Sequence, residues 1–218
     1  MILGIYGAGG LGREVYEVAL QINLIENKWS EIIFVDDSEN IDNPRPIPIF
    51  TFKDLLQEYS LNEYEVCIAI GEPSIREKLF RKVKEEGVKI ASVIHPEVTI
   101  PDSTIIGEGV IICKFVSVTC DIKIGNNVYI HPMACIGHDA IIGDNSVISS
   151  YVDVAGNCNV GSKTFLAINV ILKQGISIGS NTIVGMASVV HRNLPDSVIA
   201  MGNPARPMKN NEKEKVFK

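Results

Sequence analysis

Aromatic side chains are scarce in this 218-residue chain: seven Phe, six Tyr and one Trp make up 6% of it, although 46% is hydrophobic. Its core must therefore be built from aliphatic side chains. Excess positive charge is also missing. With 20 basic against 26 acidic residues and a net charge of −6, nothing supports nucleic-acid binding. No run approaches about 18 apolar residues, so no membrane span is expected. The opening MILGIYGAGG carries no basic segment ahead of a long apolar stretch, which points to a cytoplasmic rather than a secreted protein. Cys67, Cys113, Cys120, Cys135 and Cys158 form no CxxC pair and read as reduced core or surface residues, with no metal cluster expected.

What is present is a repeat. From Ile94 to Val190, all seventeen residues taken six apart are Ile, Val or Leu. Independent placement would give this on the order of once in a billion trials. Two residues before each stands a small or β-branched residue, or Cys158, and Gly follows the aliphatic position at 107, 125, 137, 143, 161, 179 and 185. A period of six does not match a helix face; it matches short strands joined by tight corners. One branched residue per strand points inward, its i−2 neighbour fills the corner, and Gly is expected to supply the strained turn geometry. Three hexads close an 18-residue triangular coil, so the repeat predicts about 5.4 coils stacked roughly 4.8 Å apart. Only eleven charged residues lie in 94–190 against thirty-five elsewhere, so these faces are expected to pack against sister subunits.

Residues 1–92 alternate strand and helix signals. MILGIY is an apolar strand, Gly7-Ala8-Gly9-Gly10-Leu11-Gly12 opens a helical pattern, and EIIFVDD ends in Asp36-Asp37. TFKDLLQEY reads as a helix capped by Thr51, EVCIAIG as a buried strand ending at Gly71, and SIREKLFRKVKEE as a helix stopped by Gly87. This predicts a small parallel, Rossmann-like α/β sheet with about four strands. The glycine turn lies between strand and helix, and the helix N-terminus it opens suits a phosphate or sugar. There are too few strands for a full NAD domain, so nucleotide-sugar binding without redox chemistry is expected.

Of the four histidines, His95 and His191 bound the repeat, and His131 reads as a corner residue. His138, in IGHDAIIGD, is followed by Asp139. Acyl transfer to an amine or hydroxyl needs a base; imidazole has a suitable intrinsic pKa, and a carboxylate can fix its tautomer.

The hexads resemble those of the left-handed parallel β-helix acyltransferases. GAGGLGREV, FVDD, CIAIGEPSIREKL, IGHDAIIGD and AGNCNVG, in that order over nearly the whole chain, resemble the family of sialic-acid O-acetyltransferases and bacterial nucleotide-amino-sugar N-acetyltransferases. The resemblance implies an α/β domain in 1–92 that binds a nucleotide sugar, and an all-β left-handed β-helix acetyltransferase domain with a closing segment in 93–218. It implies a homotrimer with active sites between subunits, using acetyl-CoA for N-acetylation of a nucleotide-linked amino sugar in surface glycan synthesis. His138 would be the base, Asp139 its orienting acid, and Gly156, one coil on, an oxyanion donor. Gly156, Ile168, Gly185 and Met186 would hold acetyl-CoA; Gly9, Gly10, Leu11, Asp36, Asp37 and Gly71 would hold the nucleotide sugar. Asp139 stands where the family often has Glu, Leu11 where it often has His, and Val147 where some relatives have a second His.

The same base could instead serve O-acetylation of a sialic acid or another sugar hydroxyl. A zinc carbonic anhydrase on this scaffold would need three converging histidines, and no third one lies at a coil-related position. A non-catalytic binding scaffold is the remaining alternative.

Overall fold

The computed structural model describes residues 1–39, 41 and 46–217. The chain opens with β1 (Ile2–Tyr6), α1 (Gly10–Glu26), β2 (Glu31–Val35), β3 (Ile49–Phe50), α2 (Phe52–Glu58), β4 (Tyr64–Ile68), α3 (Pro73–Glu85) and β5 (Lys89–Ile90). Among the described residues these strands form one parallel sheet in the order β3-β2-β1-β4-β5. The sheet has one strand more than expected, because β3 and β5 are two residues each, too short to show a period. β1 and β4 are buried throughout, as a parallel sheet covered on both faces requires. α1 turns Val15, Val18, Ala19 and Ile22 to the sheet, the 3–4 spacing of an apolar helix stripe. Thr51 Oγ1 accepts the Asp54 N–H at 3.1 Å to cap α2, and Gly87 (φ +73°) follows α3 in the left-handed region.

After Ile90 the chain enters a parallel β-helix of triangular section. Equivalent strands pair 18 residues apart, Tyr129–Ile130 with Val147–Ile148 for example. The i−2 residues, among them Val110, Val128, Ala140, Val152 and Val170, are buried beside the inward ladder of Ile112, Ile130, Ile148 and Leu166. The corner geometry differs from expectation. The glycines at 107, 125, 143, 161 and 179 do not take positive φ; the left-handed residue comes two positions later, at Asn127, Asn145, Lys163 and Asn181. Glycine is required instead by the close approach of the next coil. A Cβ on Gly143 would lie 2.5 Å from the Ser162 nitrogen, and one on Gly161 2.5 Å from that of Ser180.

The three faces differ. One, with strands Val93–Ile94, Ile111–Ile112, Tyr129–Ile130, Val147–Ile148, Phe165–Leu166 and Ile183–Val184, continues into a hairpin of Val198–Gly202 and Ala205–Asn210. Its outward residues Ile111, Tyr129, Val147, Phe165 and Ile183 are buried in one cluster with Leu3, Val15, Val18, Ile22 and Trp29 of the α/β layer. We call it the docked face. Its apolar surface is thus covered by the chain itself, not by a sister subunit. The first open face runs from Ile105–Ile106 to Ser177–Ile178, and the second from Ser117–Val118 to Val189–Val190. On these the outward residues include Ile105 (63% exposed) and Ile141 (42%).

Arg76 of α3 clasps the two parts together. It is fully buried and donates to the Ile68 and Ile70 carbonyls and to the carbonyl and side-chain oxygens of Asn127 on the docked face's edge, at 2.6–3.0 Å. Burial pushes its pKa down to about 10, which leaves it charged at neutral pH.

Candidate active site

Gly7 and Gly12 make the turn after β1 possible. Gly7 has φ +114°, and a Cβ on Gly12 would overlap the Gly7 carbonyl oxygen. Gly9 and Gly10 are different: both are exposed, and a Cβ on Gly9 would meet nothing within 4 Å. They open α1 with no side-chain cap, and the N–H groups of Gly10, Leu11 and Gly12 have no acceptor among the described residues. Asp36, after β2, accepts the Ala8 and Ser38 N–H groups at 2.9 and 3.0 Å and so fastens the turn. Asp37 is used internally, accepting from Tyr6 Oη, from the Phe52 N–H at 2.8 Å and from Lys82 Nζ at 2.7 Å. Its partial burial opposes ionisation, but these donors outweigh it and hold its pKa below the ordinary value.

A cavity of about 570 Å³ runs from this layer to the edge between the docked face and the second open face. Leu11 and Gly71 line its α/β side; His131, Ser149, Ser150, Ala167, Ile168 and Met186 line the β-helix side, and Val147, Phe165 and Phe217 complete it. Ile168 and Met186 stand one coil apart and are 56% and 75% exposed. Gly185 lies beside them on that edge, its N–H donating to the Ala200 carbonyl at 2.8 Å. His131 stacks on Tyr129 at 4.3 Å, and burial, aided by the charge of Arg76, pushes its pKa down to about 4, so the ring is neutral at physiological pH.

His138 is elsewhere. It follows Cys135–Ile136 and precedes Ile141–Ile142, which places it on the edge between the two open faces, opposite the docked face. His138 Nδ1 is 2.8 Å from Asp139 Oδ2, and both side chains are half exposed. Asp139 adopts φ +59°. The ring lies over Gly156: a Cβ there would stand 2.5 Å from Nε2 and 2.7 Å from Cε1. The Gly156 N–H has no acceptor among the described residues.

The structure therefore brings Leu11, Gly71, Ile168 and Met186 to one cavity, and His138, Asp139 and Gly156 to another edge of the same chain. His131 is a cavity residue that the corner reading missed. Its signal was the coil period, since 131, 149, 167 and 185 are 18 apart. Phe217 follows the last hexad and carried no such signal.

Residues 3–83 match the PglD N-terminal domain family, and residues 121–156 the six-repeat bacterial transferase hexapeptide family. Along 134 residues the chain is 28% identical to the GDP-perosamine N-acetyltransferase of Escherichia coli O157:H7, spanning 59% of this chain and 60% of that relative. WeeI from Acinetobacter baumannii AYE superposes with a TM-score of 0.88 at 30% identity, covering 95% of this chain and 100% of that one. PerB from Caulobacter crescentus, solved in complex with CoA and GDP-perosamine, superposes with a TM-score of 0.84 at 30% identity over 95% and 97% of the two chains. With a PglD-type α/β layer, hexapeptide repeats and likeness to WeeI and PerB along nearly the whole of each chain, the chain belongs to the left-handed parallel β-helix acyltransferase family that contains the bacterial nucleotide-amino-sugar N-acetyltransferases.

Proposed function

We propose that this protein transfers an acetyl group from acetyl-CoA to the amine of a nucleotide-linked amino sugar, a step in surface glycan synthesis. The observation that carries the reading is the cavity joining the crevice at Leu11 and Gly71 to the exposed column of Ile168 and Met186. In an open parallel sheet a ligand binds beyond the carboxyl ends of the strands, where the strand order reverses. Here that point lies between β1 and β4. The diphosphate would sit on the unpartnered N–H groups of Gly10 and Leu11 at the start of α1, with Gly9 and Asp36 beside it and the sugar toward Gly71. Asp37, with its acceptors already occupied, would support the site by fixing the end of β2.

Ile168, Gly185 and Met186 suit a long, partly apolar acyl carrier: the two exposed apolar side chains stand one coil apart along the edge, and Gly185, next to Met186, packs its backbone against Met201. Acetyl-CoA supplies an acetyl group activated as a thioester. As the amine nitrogen bonds the acetyl carbon, His138 Nε2 would take its proton and give it to the CoA sulfur, which leaves as the thiol when the C–S bond breaks, while Asp139 holds Nδ1–H and stabilises the imidazolium between those steps. The unpartnered Gly156 N–H, one coil on from His138, would offer a hydrogen bond to a carbonyl oxygen gaining negative charge.

The base and the cavity lie on the two edges that flank the second open face. Three parallel prisms turning that face to a three-fold axis bring one edge of each against the other edge of its neighbour, so a homotrimer completes the site. Phe115, Met133 and Tyr151 support this. They are 58%, 45% and 58% exposed, stack one coil apart on the cavity edge, and take φ near +60°, an arrangement suited to cover by a partner. In this reading 1–92 is the nucleotide-sugar-binding unit and 93–218 the acetyl-transfer unit of a cytoplasmic enzyme.

The test is acetyl transfer from acetyl-CoA to GDP-perosamine and to UDP- and dTDP-linked amino sugars, with a sialic acid as the hydroxyl acceptor. Turnover with an amino sugar, lost in His138→Ala, is expected. Turnover only with the hydroxyl acceptor, or full activity in His138→Ala, refutes the reading.

A further inference from the structure

After the hairpin, the segment Asn211–Phe217 crosses from the β-helix to the α/β layer. Its last described residues are tied down by one side chain. Glu72 accepts the Val216 N–H at 2.9 and 3.0 Å and the Phe217 N–H at 3.0 Å. Glu72 occupies the N-cap position of α3, yet makes no side-chain bond to its own helix, and it is only 8% exposed. A buried carboxylate that neglects its own helix to accept backbone N–H groups from a segment 144 residues away serves to place that segment.

What it places is the Phe217 ring. The ring meets Phe165 edge-on with centroids 5.6 Å apart. A Cβ on Gly71 would touch Phe217 Cε2 at 3.4 Å and Leu11 Cδ2 at 3.7 Å, so Gly71 leaves space between those two side chains. Phe217 remains 53% exposed, and it lines the cavity. The rest of the segment is held by its own contacts, buried Asn211 donating to the Asn181 carbonyl at 2.9 Å and Glu214 lying 3.6 Å from Lys163, while half-burial of the Phe217 ring by itself offsets little of the cost of ordering it. A ring held in this way, with an open face in a cavity, is suited to pack on a bound molecule.

Resting on the reaction proposed above, we infer that Phe217 contacts the substrate and determines specificity, its ring packing on the hexose of the nucleotide sugar. The location selects the hexose over the other groups. Leu11 and Gly71 follow the carboxyl ends of β1 and β4 at the point where strand order reverses, beyond the helix N-terminus that suits the diphosphate. Ile168 and Met186, which suit the acyl carrier, are on the opposite wall. Glu72 is a positioning residue for this contact.

The test is steady-state kinetics of Phe217→Ala, Phe217→Tyr and Glu72→Gln, using the amino-sugar nucleotide that the wild type turns over fastest, with calorimetric binding of the matching free nucleoside diphosphate. For Phe217→Ala, KM for the nucleotide sugar rises about tenfold, KM for acetyl-CoA stays within twofold, and nucleoside diphosphate affinity is unchanged. Phe217→Tyr restores wild-type KM, and Glu72→Gln moves in the same direction as Phe217→Ala. An unchanged KM for the sugar, a lower one (the ring then a plug) or an effect on acetyl-CoA alone overturns the assignment while the reaction stands. Wild-type enzyme inactive on every amino sugar overturns both.

Discussion

Replacing Gly156 by Ala tests whether the histidine on the far edge performs the chemistry. The new methyl group would lie 2.5, 2.7 and 2.9 Å from Nε2, Cε1 and Cδ2 of His138, distances that real Cβ atoms do not show. The backbone of Gly156 is fixed in the coil stack, its carbonyl accepting the Gly175 N–H at 3.0 Å, so the ring must give way. Return to ordinary contact requires a displacement of about 1 Å, and misplacement on that scale costs on the order of 10²-fold in rate. That corresponds to about 2.7 kcal/mol of transition-state stabilisation. Alanine keeps the backbone N–H, so the change isolates the seating of the ring from any hydrogen bond the peptide donates. The ring is half exposed and can swing into solvent, so fold stability should change by less than about 1 kcal/mol. The assay is kcat with both substrates saturating, beside a thermal melt. The decisive comparison is the double variant: in a His138→Ala background, Gly156→Ala should cost nothing further, because the ring it displaces is gone. A Gly156→Ala enzyme with wild-type kcat, or one equally slowed in both backgrounds, would refute the argument.

Three further outcomes follow from other parts of the structure. Arg76→Ala removes the clasp and orphans the Ile68, Ile70 and Asn127 acceptors, so urea unfolding should show a loss of about 3 kcal/mol or more. His131 has a folded pKa near 4, below its unfolded value; the stability it contributes is complete above about pH 6.5 and is lost as pH falls toward 4. The wild type should therefore lose up to about 3 kcal/mol relative to His131→Asn between pH 7 and pH 4, read from paired denaturation curves. Tyr151→Glu puts a charge into the exposed column with Phe115 and Met133, and sedimentation should show dissociation of the proposed trimer with loss of activity and an unchanged circular dichroism spectrum.

The β-helix was legible because its rule is local and repeated. An inward branched residue every six positions can be counted, and Ile112, Ile130, Ile148 and Leu166 are where the count puts them, in the buried ladder. The glycine rule was legible only as a position. Spacing shows that Gly143 follows Ile142, but the cause, the Ser162 nitrogen of the next coil, belongs to the stack. In the α/β layer the long strands and the three helices were readable from burial runs and caps, while β3 and β5 were not, since two residues define no alternation. Arg76 is one of several charges in SIREKLFRKVKEE with nothing in the spacing to mark it; only the docking of α3 against Asn127 shows that it is buried.

The division of the site has a physical cause in the same repeat. Three six-residue repeats return the chain to a given face every 18 residues, so residues 138 and 156 share one edge, and 150, 168 and 186 share another. No choice of side chain can bring the two edges together within one prism, because the inward ladder fills the space between them. The docked face is closed by the chain's own α/β layer, and the second open face is the one that both edges flank. On the proposed assignment, His138 on one edge and the cavity on the other can then meet only through a second copy of the chain. Oligomerisation is on this argument part of the chemistry. A variant that separates the subunits should lose kcat even though every residue of the cavity and of the His138–Asp139 pair remains in place within each chain.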